Sequence, residues 1–125
     1  MPELIPARIV STGLFTPENT ITNEELVVSF NAWVEKHNAN HPDDQKDPSS
    51  AEFIEKASGI KSRYVLDKEG ILDIDRMRPK LPVRDNKQLS IMAEIGVLAA
   101  RQAMKNADLQ GKDIDAVICA ASNMQ

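Results

Sequence analysis

Between Asn86 and Ala107 the sequence keeps apolar or small side chains on almost every side of a helix. Leu89, Met92, Ala93, Gly96, Ala99, Ala100, Ala103, Met104 and Ala107 share one face. Ile91, Ile95, Val97 and Leu98 carry the apolar surface nearly all the way round. Polar groups are confined mostly to a stripe through Lys87, Ser90, Glu94, Arg101 and Lys105. A helix at a protein surface needs one apolar stripe, so a helix this apolar is expected to be covered on most sides. The pattern predicts a buried helix over 86–107, held between layers. After a connection at 108–115 comes Ala116-Val117-Ile118-Cys119-Ala120-Ala121, an unbroken apolar run. It reads as a strand of a sheet covered on both faces.

Upstream, Ala7–Leu14 reads as a strand, with β-branched Ile9 and Val10, and with Gly13 permitting a bulge or a close backbone approach. Phe15–Asn19 is a turn. Thr22-Asn23-Glu24-Glu25 is a capping box, so a helix should follow with Leu26, Phe30, Trp33 and Val34 on one face. That helix fades by Asn38–Asn40, and Pro42 stops it. Residues 41–47 are a polar loop. Ser49-Ser50-Ala51-Glu52 reads as a second capping box, opening a short helix that Gly59 closes in a left-handed conformation. Ile60–Leu66 is a short strand and Asp67–Gly70 a turn. Residues 71–85, with Pro79 and Pro82, form an irregular basic excursion. This order predicts an α/β layered fold with a mixed sheet and a buried central helix, in one domain. No helix follows the last apolar strand to cover it. The chain is therefore expected to be part of a larger protein or to be completed by a second chain. Self-association through the edge of that strand is expected as well.

The 125 residues suffice for one domain. No apolar run approaches the roughly 20 residues of a membrane span, and Met1–Pro6 lacks the basic and apolar regions of a secretory signal. The single cysteine, Cys119, excludes an internal disulfide. A cytoplasmic setting follows as the expectation, with no membrane partner. The net charge of −4 is uneven. Residues 1–60 carry four basic and ten acidic side chains, whereas residues 61–87 carry eight basic and five acidic. A basic middle in an acidic chain suits a local anion contact or a solvated loop, and not a nucleic-acid surface.

Few residues suit chemistry. Cys119 lies mid-strand without a nearby cation, so it reads as a small buried hydrophobe and not as a nucleophile. His37 and His41 share the spacing of a helix-borne metal pair, but they fall where the helix ends and no third ligand is placed. No phosphate loop or nucleophile elbow is present, and nothing assembles a nucleophile, a base and an oxyanion hole. Phe53, Ala57, Lys61 and Arg63 flank the helix–glycine–strand turn. An aromatic ring there can stack on a nucleobase or sit in a core, and two cations can hold phosphates.

Ser11-Thr12-Gly13, Pro17-Glu18 and Thr22-Asn23-Glu24-Glu25-Leu26 resemble the opening of β-ketoacyl-acyl-carrier-protein synthase III. Ser58-Gly59-Ile60-Lys61-Ser62-Arg63 looks like the glycine–isoleucine turn of the same family. Ala99–Met104, Ile114–Ile118 and Ala121-Ser122-Asn123 are similar to its next helix and strand. The likeness covers most of the chain, which is longer near residues 36–47 and 70–86. It marks condensing enzymes of the thiolase superfamily better than it separates their members.

The resemblance implies an N-terminal part of a thiolase-like fold, in which two similar halves stack as five layers. It implies a decarboxylative Claisen condensation of acyl-CoA with malonyl-acyl-carrier-protein through a Cys–His–Asn centre, with no further cofactor. Covalent catalysis of this kind divides a hard step into two easier ones. That centre lies outside this chain, and Cys119 does not align with it, so the chain alone should be inactive. Acyl carrier protein, acyl-CoA and a second copy in a homodimer are the implied partners. Four residues are implied to bind substrate. Ser49 and Phe53 align with the CoA entrance, Lys61 with a residue that docks the carrier protein, and Ser122 with a residue near the acyl pocket. Ala57 stands where the family has an arginine. An acyltransferase of the superfamily with a different acceptor, or a non-catalytic interaction module, remains an alternative.

Overall fold

The computed structural model describes residues 6–121, and Ser122 lies outside them. Helices and strands are mixed, and the backbone divides into two compact units. One is Thr16–Pro82. The other is built from the flanking segments, Met1–Phe15 and Val83–Gln125.

The Thr16–Pro82 unit contains strand β1 (Asn19–Thr22), helix α1 (Asn23–Asn40), helix α2 (Ala51–Ser58), strand β2 (Ser62–Val65) and the single-turn helix α3 (Lys68–Leu72). β1 and β2 pair antiparallel, Thr20 opposite Tyr64 and Ile21 opposite Arg63. Among the described residues Ile21 of β1 and Val34 of α1 are the buried apolar side chains. The capping box at the start of α1 is present as expected. The Thr22 hydroxyl accepts from the Glu25 N–H at 3.2 Å, and the Glu25 carboxylate accepts from the Thr22 N–H at 3.1 Å. α1 runs to Asn40 and stops before Pro42. Gly59 closes α2 with φ 72°, a conformation that costs a residue with a β-carbon.

Three local expectations shift. The cap of α2 is Ser50, whose hydroxyl accepts from the Phe53 N–H, so the anticipated Ser49–Glu52 box does not form. Asp67–Gly70 is no simple turn. The Asp67 carboxylate accepts from the Gly70 N–H and caps α3. The 71–85 stretch then folds back over this helix. The Arg78 N–H donates to Gly70 O at 3.1 Å and the Lys80 N–H to the Asp67 carboxylate. β1 was hidden in the sequence because four polar and β-branched residues become a strand only through their pairing with β2.

The Glu25 carboxyl is held below its ordinary value of 4.5, first by its hydrogen bond from Lys68 and then by the Thr22 N–H. A carboxyl whose folded value is depressed adds stability above the unfolded value, and that stability is lost as pH falls through the lowered folded value. Melting temperature is therefore expected to decline below about pH 4.5. In Glu25→Gln this part of the decline should disappear when both proteins are followed by circular dichroism across pH 3 to 7. Equal slopes would refute it.

In the second unit, helix α4 spans Ile91–Asn106, with the Ser90 hydroxyl accepting from the Ala93 N–H at its start. It is shorter than the expected 86–107 because Ser90 begins it. Its end is marked by Asp108 at φ 54°, and the Leu109 N–H reaches back to Met104 O at 2.9 Å. This is a Schellman-type close with aspartate in the position usually held by glycine. Residues 7–14 form no strand. Instead Ser11 Oγ donates to Ala103 O at 2.7 Å, the Leu14 N–H donates to Gln102 Oε1, and Asn106 Nδ2 donates to Thr12 O at 3.1 Å. Gly13 provides the close approach expected of it. A β-carbon there would lie 2.5 Å from Ala103 N and closer still to Ala99 O.

The buried central helix and the mixed sheet do not stand among the described residues. α4 has no fully buried residue, and the one sheet present is the β1–β2 pair. Residues 116–121 form no strand, with Val117 and Ile118 85% and 96% exposed, and Cys119 is exposed instead of buried. The physical reason is shared. An extended apolar segment becomes a strand, and an all-round apolar helix becomes core, only against neighbours that pair with it or cover it.

Candidate functional site

Residues of α1 and α2 line an open groove of about 540 Å³ in the Thr16–Pro82 unit. Leu26, Val27 and Phe30 of α1 form one wall and Phe53 and Ile54 of α2 the other. The loop Asp47-Pro48-Ser49 and Met77 complete it. Such a volume lies in the range that small ligands occupy. Phe53 is 65% exposed, so its ring faces the opening and is not core.

The loop is tied to α1 by two asparagines. Asn31 Nδ2 donates to Ser49 O, and its Oδ1 accepts from the Ser49 N–H, both at 2.9 Å. Two helical turns on, Asn38 Nδ2 donates to Lys46 O at 2.9 Å, and its Oδ1 accepts from the Lys46 N–H at 2.8 Å. Gln45 Nε2 adds bonds to Asn38 O and His41 O at the helix end. Asparagine is a poor residue for a helix interior, and each of these two is explained by the backbone it holds. Met77 sits at φ 48°, its N–H donating to Asp73 O at 2.7 Å. That left-handed conformation is costly for a residue with a β-carbon, and here it brings the side chain to the groove.

Of the expected substrate-binding residues, Ser49 and Phe53 come together in this groove. Lys61 is not among the groove's lining residues. Its side chain is 79% exposed and forms an ion pair with Glu55 at 3.2 Å. Arg63 turns inward from β2. Its Nη2 donates to Asn23 Oδ1 at 2.8 Å, while Nη1 is buried without a partner. Asn23 is itself buried, and its Nδ2 donates to Ile60 O at 2.6 Å. The glycine–isoleucine turn is thus fixed onto the start of α1. Asn31, Asn38 and Met77 were not foreseen as shaping the site. The one signal for them in the sequence was two asparagines spaced seven apart inside a helix.

His37 and His41 stack face to face, with ring centroids 4.3 Å apart, and His37 also stacks on Trp33. Stacked rings do not converge their nitrogens. His41 Nδ1 lies 3.0 Å from His37 O, and His37 Nε2 lies 2.9 Å from Asp44 O. The Asp44 carboxyl is held below its ordinary range, first by the hydrogen bond from Lys46 and to a lesser degree by His37. These histidines finish the helix and fasten its loop. Among the described residues no helix is long and apolar enough to cross a membrane.

No family model matches the chain. The chain is 49% identical over 104 residues to a β-ketodecanoyl-[acyl-carrier-protein] synthase of Pseudomonas aeruginosa. The match takes in 78% of this chain and 30% of that protein, so the chain spans about a third of the length of the relative. The likeness to the β-ketoacyl-acyl-carrier-protein synthases, first carried by short motifs, thus extends over most of this chain.

Proposed function

We propose that the chain is the first part of a β-ketoacyl-acyl-carrier-protein synthase III-like acyltransferase of fatty acid biosynthesis, and that its groove receives part of the acyl donor. The observation that carries this is the placing of Ser49 and Phe53, four residues apart across the start of α2, on the lining of one apolar groove. The identity to a synthase with a carrier-protein substrate in its name supports the carrier protein as partner.

In this reading the complete protein has a thiolase-like fold and works as a cytoplasmic homodimer. A cysteine outside this chain attacks the acyl thioester and releases the donor thiol. Malonyl-carrier-protein then loses carbon dioxide, and the resulting carbanion attacks the acyl-enzyme, expelling the cysteine thiolate. This chain provides binding surface and not the reacting groups. The relative's name denotes a decanoyl product, and the condensation adds a two-carbon unit, so octanoyl thioesters are the donors to try first.

The test is a chimera that joins this chain to the portion of the Pseudomonas relative beyond the matched stretch. With octanoyl-CoA and malonyl-carrier-protein it should release carbon dioxide and yield the β-ketodecanoyl product. The 125-residue chain alone should give none. A folded chimera without condensation, or robust condensation by the isolated chain, would overturn the reading.

A further inference from the structure

Resting on that reading of the groove, we propose that Met77 is a specificity-determining residue, whose thioether joins the Phe53 ring in holding the nucleobase of an acyl-CoA donor. The starting point is its backbone. Met77 sits at φ 48°, a left-handed conformation that is costly for any residue with a β-carbon and that glycine takes more readily. Such a conformation persists where the surroundings over-determine it, and it collects at ligand clamps.

The surroundings here do over-determine it. The Met77 N–H donates to Asp73 O at 2.7 Å, and the Arg78 N–H to Gly70 O at 3.1 Å. The Arg76 guanidinium donates to Arg78 O and Pro79 O, drawing the turn shut around Met77. Gly70 lets this strap lie close, since a β-carbon there would stand 2.7 Å from Arg78 O and 2.8 Å from Lys80 N. Met77 is the strap's one contribution to the groove lining among the described residues.

The chemistry of the groove favours a base over an acyl chain. An acyl chain gains by leaving water on all sides, which an open groove with Phe53 65% exposed does not provide. A flat base gains from a ring face and a polarizable thioether with little enclosure. Ser49 and Asp47, the polar residues of the described lining, can accept from an exocyclic amino group. Lys46, next to Asp47 in the chain, is paired with Asp44 at 2.6 Å. The asparagine clamps on Lys46 and Ser49 fix this loop before a ligand arrives, which lowers the cost of ordering it.

Calorimetric titration of the protein with octanoyl-CoA and with octanoyl-pantetheine, which lacks the base, tests this. Met77→Gly should weaken octanoyl-CoA about fivefold and leave octanoyl-pantetheine unchanged. Its melting temperature should hold or rise, because glycine relieves the left-handed backbone. Met77→Asn, which also tolerates that backbone, should repeat the loss, whereas Met77→Leu keeps apolar surface and should stay within about twofold. If octanoyl-CoA binds the wild-type protein and all three variants equally, the role of Met77 is wrong while the donor groove stands. Equal weakening of both thioesters would overturn the nucleobase assignment. A fall in melting temperature that accompanies the loss of binding in both Met77→Gly and Met77→Asn would make Met77 a folding residue and overturn it too. If the wild-type protein binds neither thioester, the donor groove fails and the inference with it.

Discussion

Replacing Asn23 by leucine should cost about 3 kcal/mol of stability, visible as a fall in melting temperature of roughly 10 °C. The size follows from what the amide holds. Asn23 is 2% exposed and stands at the first position of α1. Its Nδ2 donates to Ile60 O and its Oδ1 accepts from Arg63 Nη2. Leucine fills a similar volume but leaves the Ile60 carbonyl without its donor. It also removes the hydrogen bond of Nη2 from a guanidinium whose Nη1 already lacks a partner among the described residues. An unsatisfied buried group costs about 1–3 kcal/mol, and a charged one more. Asn23→Asp turns an acceptor oxygen toward Ile60 O but keeps the acceptor for Arg63 and pairs its charge, so it should cost less than the leucine change. A loss below about 1 kcal/mol in the leucine variant would show that water satisfies these groups.

Gly13→Ala should cost about 2–3 kcal/mol, because the added methyl meets helix backbone and not a movable side-chain tip. Ala99 O and Ala103 N stand where the β-carbon would go. The segment must lift off α4, and the bonds from Ser11, Leu14 and Asn106 lengthen with it. Gly96→Ala is the control. A β-carbon there meets nothing within 4 Å, and alanine is the better helix former, so stability should hold or rise slightly. Hydrogen exchange of the α4 amides reads both variants. Protection lost on Gly13→Ala and kept on Gly96→Ala is the expected result, and equal protection would refute the close-packing account.

What could be read ahead of the structure was local in its physics. Thr22 and Glu25 satisfy each other within one turn, so the start of α1 needs no distant partner to be foreseen. Gly13 advertises itself because a β-carbon has no room in its place, and Gly59 because glycine takes a left-handed helix end at the least cost. Ser50 in place of Ser49 as a cap is an ambiguity of two adjacent serines, settled by which hydroxyl reaches the Phe53 N–H. Position 116–121 failed as a strand for the opposite reason. Its apolar run states what the segment needs, while pairing depends on residues elsewhere. At the groove, the resemblance indicated Ser49 and Phe53. It gave no hint of the clamps, because an asparagine side chain bonding backbone eight to eighteen residues away leaves no periodic trace.

Those clamps also fix a length. Seven residues of helix rise about 10.5 Å, and three residues of extended chain reach about 10 Å. Asn31 to Asn38 and Lys46 to Ser49 are therefore commensurate, like two rulers marked in different units that agree at both ends. The peptide between the clamps carries no slack, whereas the stretch from His41 to Gln45 has no such match to keep. Evolution can vary the length of this loop on the far side of Lys46, but a residue gained or lost between the two marks would put one asparagine out of step with its backbone.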